Sequence, residues 1–225
     1  MFPNLTPVVK NLLIINIIFF LGSSVVGKSY EYFAAFYPDS PYFKVWQIIT
    51  YMFMHGGFSH IFFNMFSLLM FGPMIEQVLG AKRFINFYLF TGLGALVLQY
   101  GVQAFELYQT VGTSFPIRQG IDLGALTGSQ LRFVQEINYT PLVGASGAIY
   151  GILLAFAYLF PNIPLQLIFI PIPIKAKYFI GGLIVIEIYL SLSQPGDSVA
   201  HLAHVGGAIF AYILLKMWGV RKGLY

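Results

Sequence analysis

Ser146 lies in the run Gly144-Ala145-Ser146-Gly147. A serine flanked by glycines at a loop-to-helix turn can expose its hydroxyl, and the glycines let backbone or a substrate approach closely. At a helix N-terminus its own N–H is free to face an oxyanion. The same residues also serve helix contacts, because Gly147 and Gly151 form a small-xxx-small pair. The spacing is not the full G-x-S-x-G of the soluble nucleophile elbow. His204, in His204-Val205-Gly206-Gly207, has the side chain usually used to deprotonate a serine. Its alternative is a hydrogen-bonded packing role. Gly207 and Ala211 continue from it as a small stripe that would let its helix pack tightly. His201 sits three residues earlier on the same face but has no glycine one turn on, so His204 is the favoured base. His60 and Asn64, four residues apart, share a helix face. Two donors there suit a developing oxyanion, or else a hydrogen bond between helices.

These residues need a scaffold, and the composition says which kind. Of 225 residues, 58% are hydrophobic and 9% charged, and the mean hydropathy is +0.77. Twelve Lys and Arg and eight Asp and Glu cannot coat a soluble protein of 25.2 kDa. An ordinary cytosolic domain, a disordered chain and a nucleic-acid binder are excluded. The net charge of +4 fits a few interfacial basic residues rather than a phosphate-binding patch. With no cysteine, a disulfide framework, a thiolate metal site and a cysteine nucleophile are excluded as well.

Charge-free stretches of about 20 residues mark membrane spans. They fall at about 11–27, 59–79, 84–105, 141–160, 177–192 and 198–218, in one membrane domain covering 1–225. The expectation is an all-α, six-helix membrane bundle. The first span reads as a retained helix rather than a signal peptide. Residues 30–46, rich in aromatics and broken by Pro38 and Pro41, read as an interfacial loop. Ser59 is the expected N-cap of the second span. Residues 106–140 are long for a connection and are expected to be functional, partly helical or mobile. Pro161, Pro164, Pro171 and Pro173 forbid a helix over 161–174, which should re-enter or graze the membrane. Residues 194–197 read as a turn. With the N-terminus cytoplasmic, cytoplasmic segments hold Lys10, Lys82, Arg83, Lys175, Lys177, Lys216, Arg221 and Lys222. External segments hold only Lys28, Lys44, Arg118 and Arg132, so both termini are expected inside.

In this topology spans two, four and six run the same way. Ser146, His60 and His204 then lie at one depth, just below the outer surface. A zinc site from His60, His201 and His204 lacks an H-E-x-x-H pattern and a neighbouring carboxylate, so no metal and no other cofactor is expected. Glu76, near the inner end of span two, reads as a loop anchor. Glu187 is the one charge deep within a span. It should be protonated or paired with a polar group on a neighbouring helix, and no functional role follows from the sequence.

Taken together, His60-x-x-x-Asn64, Gly144-Ala145-Ser146-Gly147 and Ala203-His204-x-x-Gly207 resemble the rhomboid intramembrane serine proteases, over roughly Val45 to Leu215. The resemblance implies a rhomboid-like six-helix fold. It implies a Ser–His dyad without an acidic third member, with Ser146 as nucleophile and His204 as base and acid. It implies an oxyanion hole from His60, Asn64 and the Ser146 N–H. Tyr150 matches a tyrosine packed on the catalytic histidine, and Glu76 with Gly80 matches the family's end of span two. Implied partners are the lipid bilayer and single-span membrane proteins, cut in or near the membrane. A bacterial cell membrane is the expected location. One departure is Trp46-Gln47, where the family often has Trp-Arg. It should weaken the first loop rather than the activity. The loop at 106–140 looks longer than in compact members and could bear on substrate access or regulation. Two rivals remain: a rhomboid-like pseudoprotease that escorts membrane proteins, and a transporter using His and Glu187. Pseudoproteases lack the serine or histidine, and a transporter predicts internal repeats, of which none is found between 1–110 and 111–225.

Overall fold

A computed structural model describes residues 5–167, 170–193 and 198–223. Helix α1 (Pro7–Val25) begins on Pro7, whose missing N–H costs nothing at the first helical position. Its next free amides are met from elsewhere. Glu76 accepts from Val8 N at 3.1 Å and Val9 N at 2.9 Å, and also from the Thr6 hydroxyl. A carboxylate facing a helix N-terminus is stabilised by the amide dipoles. Glu76 is thus an anchor, as expected, and what it anchors is α1.

The first loop carries two short helices, α2 (Ser29–Phe33) and α3 (Gln47–Thr50). Gln47 is fully buried, donating to Glu31 O and Tyr42 O and accepting from Lys44 N, at 2.9–3.0 Å. Trp46 Nε1 donates to Tyr32 O at 2.9 Å. A neutral amide here serves the backbone groups of the loop without burying a charge.

Helix α4 (Phe58–Leu79) is capped by Gly57, not Ser59, which lies inside the first turn. After Gly80 the chain turns directly into α5 (Ala81–Val111), whose 31 residues exceed the expected span at both ends. Residues 106–140 prove partly helical. They hold the end of α5 and α6 (Gly128–Tyr139), which opens with a capping box between Thr127 and Gln130. The stretch between them is fastened to the first loop. Asp39 accepts from Ile117 N at 2.7 Å and Arg118 N at 2.9 Å, and Tyr37 donates to Ser114 O at 3.0 Å. Tyr37, Leu107, Val134 and Ile137 form a second, small core there.

Helix α7 (Ser146–Leu159) starts five residues later than the expected span, because 141–145 are not helical. The all-α expectation fails at one place. Residues 164–167 and 170–175 form no helix, as expected, but pair as antiparallel strands, β1 (Pro164–Leu167) and β2 (Ile170–Lys175), with Pro164 opposite Lys175 and Leu165 opposite Ile174. Alternating Ile and Pro suits a two-stranded ribbon, where every strand is an edge and a missing N–H can face outward. Helix α8 (Ala176–Ser193) and helix α9 (Ser198–Met217) follow. The turn expected at 194–197 lies outside the described residues.

Pro7–Val25, Phe58–Leu79, Ala81–Val111 and Ala176–Ser193 are long and apolar enough to cross a membrane. Ser146–Leu159 and His201–Met217 are apolar but shorter. The chain is therefore mostly helical, with helices of membrane type. Many of their outward side chains, such as Ile17, Ile18, Leu21 and Val185, are exposed, as a lipid-facing surface requires. Helix α7 is buried nearly all round and packs against α4, α5, α8 and α9. Its contacts with α5 and α9 rest on small residues. A Cβ on Gly147 would lie 2.5 Å from Ala95 Cβ, and one on Gly207 would lie 1.9 Å from the Gly147 carbonyl oxygen. Backbone thus meets backbone, the contact that lipid-immersed helices use when no hydrophobic force drives them together. Gly207→Ala should lower the thermal unfolding midpoint in detergent, with overpacking costing about 1–3 kcal/mol or more. Gly181→Ala on α8, where nothing lies within 4 Å of the new methyl, should not lower it.

Candidate active site

Ser146 is the first residue of α7, so its N–H has no acceptor within the helix. The approach to it is fixed by backbone bonds. Leu142 and Ala35 exchange a pair at 2.8 and 2.9 Å, and Gly144 N donates to Tyr51 O at 2.9 Å. Gly144 has φ +126°, and a Cβ there would fall 2.7 Å from His60 Nε2. Both the left-handed backbone and the imidazole against its Cα demand glycine.

His60 sits in the first turn of α4 with its Nδ1 accepting from Gly56 N at 3.4 Å. That bond assigns the ring proton to Nε2, the nitrogen beside Gly144. Asn64, one turn on, is buried, and its Nδ2 has no hydrogen-bond partner among the described residues. Leaving such a donor unpaired costs about 1–3 kcal/mol, so its retention calls for a reason.

His204 comes from α9. Its ring stacks on Tyr150, with centroids 4.4 Å apart and planes 7° apart. Two cavities open beside it. One, of about 190 Å³, is lined by Tyr51, His60, Gly144, Ser146, Gly147 and His204 among others. The second, of about 520 Å³, is lined by Ser59, His60, Asn64, Ser146, Tyr150 and His204, with Phe63, Leu153 and Leu183 on its apolar side. His60, Ser146 and His204 border both. The residues expected from three separate helices therefore share one space. Gly207 stands behind them, as the contact that lets α9 reach α7. Glu76 lies apart, at the start of α1.

The expectation that no carboxylate neighbours the histidines needs correcting. His201 lines neither of these two cavities. Its Nδ1 is 2.5 Å from Glu187 Oε2, which also lies 3.1 Å from His204 Nδ1. Tyr150 donates its hydroxyl to the other oxygen, Glu187 Oε1. So a carboxylate does stand beside the histidines, and the ligating atoms of Glu187, His201 and His204 lie within 4.8 Å of one another. His60 is not in that group. Of the two readings of Glu187, pairing across helices is the one observed. The signal available in the sequence was a lone carboxylate deep in a span whose other charge, Lys177, sits at its very start.

A rhomboid domain model matches residues 42–119 and 120–220. The chain belongs to the rhomboid family. It is 30% identical over 180 residues to RHOMBOID-like protein 12, mitochondrial, of Arabidopsis thaliana, covering 79% of this chain and 47% of that one. It is 27% identical over 182 residues to Rhomboid protein 1, mitochondrial, of Saccharomyces cerevisiae (79% and 42%). It is also 27% identical over 186 residues to Rhomboid protease AarA of Providencia stuartii (76% and 57%). The chain spans about half the length of the curated relatives it matches. An integral membrane rhomboid is what these matches and the apolar helices support. The expected bacterial cell membrane does not follow, since two of these relatives are mitochondrial by name.

His55, just ahead of α4, packs edge-to-face on His60 with centroids 5.1 Å apart, and its Nδ1 lies 3.3 Å from Phe53 O. Burial, and next the neighbouring His60, push His55 down to about 4. The unfolded chain takes up this proton near pH 6.5, the folded protein only near pH 4. Stability is therefore complete above about pH 6.5 and falls as pH drops through that window, by up to about 3 kcal/mol. The unfolding midpoint should drop between pH 7 and 4.5, and drop less in His55→Gln.

Proposed function

We propose that this rhomboid is an intramembrane serine endopeptidase acting on single-span membrane proteins, built on six spans with both termini on one side. The observation that carries this is the shared space: Ser146, His204 and His60 border the same two cavities, with Asn64 on one of them. Ser146 gives its proton to His204 Nε2 as its oxygen attacks the scissile carbonyl carbon. The carbonyl π electrons move onto oxygen, and the oxyanion meets the His60 Nε2–H, the Asn64 amide and the Ser146 N–H. Collapse breaks the C–N bond, and the imidazolium hands its proton to the leaving amine. Water, deprotonated by the same nitrogen, then attacks the acyl carbonyl carbon; collapse breaks the ester C–O bond, and the imidazolium returns its proton to the Ser146 oxygen. The unpaired Asn64 donor suits this reading, because its acceptor arrives with the reaction. The substrate must unwind locally first, since a helical carbonyl is already bonded and shielded. A pseudoprotease is disfavoured by the presence of both serine and histidine in one cavity.

A serine-reactive fluorophosphonate should label the protein, and Ser146→Ala and His204→Ala should abolish both labelling and cleavage of a membrane-spanning substrate while the fold persists. Cleavage retained in Ser146→Ala would remove the assignment. Asn64→Ala should lower kcat by about 10²–10³-fold, the loss typical of one oxyanion donor, with little change in KM.

A further inference from the structure

Glu187 sits near the middle of α8, fully outside both cavities, yet it is buried and joins three helices. Every polar group that reaches it is one that can donate. Tyr150 of α7 gives its hydroxyl hydrogen to Oε1. His201 and His204 of α9 both turn Nδ1 toward Oε2, at 2.5 and 3.1 Å. A carboxylate has two oxygens and only lone pairs to offer, so it selects the hydrogen-bearing form of each nitrogen that faces it. A histidine facing it through Nδ1 must carry its proton there, and its Nε2 is left as a bare lone pair. The contact at His204 is close but not in line: among the described residues no acceptor lies straight along its Nδ1–H. Stacking on Tyr150 holds the ring plane, with Glu187 Oε2 3.1 Å from that nitrogen.

We infer that Glu187 is a positioning residue which, with Tyr150, fixes His204 in the tautomer that can accept the Ser146 proton and stays beside the imidazolium once it forms. This rests on the protease reading above and adds a positioning carboxylate to the acid-free dyad implied by family resemblance. The balance is simple. The proton moves from Ser146 Oγ to Nε2, the Nδ1 proton stays where it is, and Glu187 remains ionised throughout. The arrangement also accounts for a carboxylate in an apolar helix, because all the donors it accepts from come from inside the bundle. The same three side chains could instead hold a divalent ion, and the experiment separates the two.

The test uses the full chain in detergent micelles, with a membrane-spanning substrate and ¹⁵N-labelled histidine. The chain has four histidines, which single His→Gln variants assign. In the wild-type protein the His204 signals should report an Nδ1–H ring with Nε2 bare. Glu187→Leu should lower kcat by about 10²–10⁴-fold with KM within about twofold, and should mix the two His204 tautomers. Glu187→Gln keeps an acceptor oxygen without the charge and should fall between the two. Overturning results are an Nε2–H ring at His204 in the wild-type protein, or kcat within about threefold in a folded Glu187→Leu. The first needs no variant to fold. A divalent ion released by a chelator, with the His201 and His204 signals shifting together, would likewise overturn the inference in favour of a metal site. If the wild-type protein neither labels nor cleaves, the protease reading fails instead, and the tautomer measurement still decides what Glu187 does.

Discussion

The contact between the Gly207 Cα and the Gly147 carbonyl is the constraint on which the rest of the molecule turns. Lipid tails are as apolar as leucine, so helices in a bilayer gain little by hiding apolar faces from it. They gain by packing closely, and closeness needs side chains that are absent. With Ala95 of α5 filling the third side, three helices meet at a point where almost nothing but backbone is present. Ser146 is the neighbour of Gly147, and His204 is one turn before Gly207. Their approach is therefore a by-product of the packing. Ser146 and His204, on separate helices, stay beside the same cavities because the helices cannot slide apart without losing this contact.

Two of the buried carboxylates, Glu76 and Glu187, show two uses of the same chemistry. Glu76 faces backbone amides at the start of α1 and fastens one helix end to the body. Glu187 faces side-chain donors from α7 and α9 in the middle of the bundle. Each is tolerable only because donors surround it, and neither has a cation as partner among the described residues, apart from whatever charge the histidines take up. The structure keeps its charges few and gives each one several hydrogen bonds.

Much of this was legible in the sequence, and the reasons differ by element. The long helices were visible because charge is costly in lipid, so residues such as Lys10, Lys82 and Lys177 crowd toward their ends. His60, Asn64, Ser146 and His204 stood out because polar groups are rare in such stretches, and the geometry brings all four to one place. Boundaries were less legible. The extension of α5 to Val111 and the late start of α7 at Ser146 depend on loop contacts, such as the Ala35–Leu142 pair, that no local pattern encodes. The pairing of β1 with β2 was hidden because its prolines read as punctuation, and an isolated ribbon tolerates them. Glu187 was noticed but could not be interpreted. Its partners lie 14 and 37 residues away on other helices, beyond any spacing rule.

Helix α5 has a consequence for how the protein sits in its lipid. Its 31 residues rise about 46 Å, against a hydrocarbon slab of about 30 Å. Such an excess is usually taken up by tilt. Here the far end is gripped by Tyr37, Val134 and Ile137, a small core with the polar α6 beside it, which has no place among acyl chains. That collar works as a depth stop. A slab of that thickness cannot hold all of α5, so part of that helix stands clear of the lipid together with the small core. Helix α7, with 14 residues, rises only about 21 Å, so two helices packed side by side meet the same slab with unequal reach.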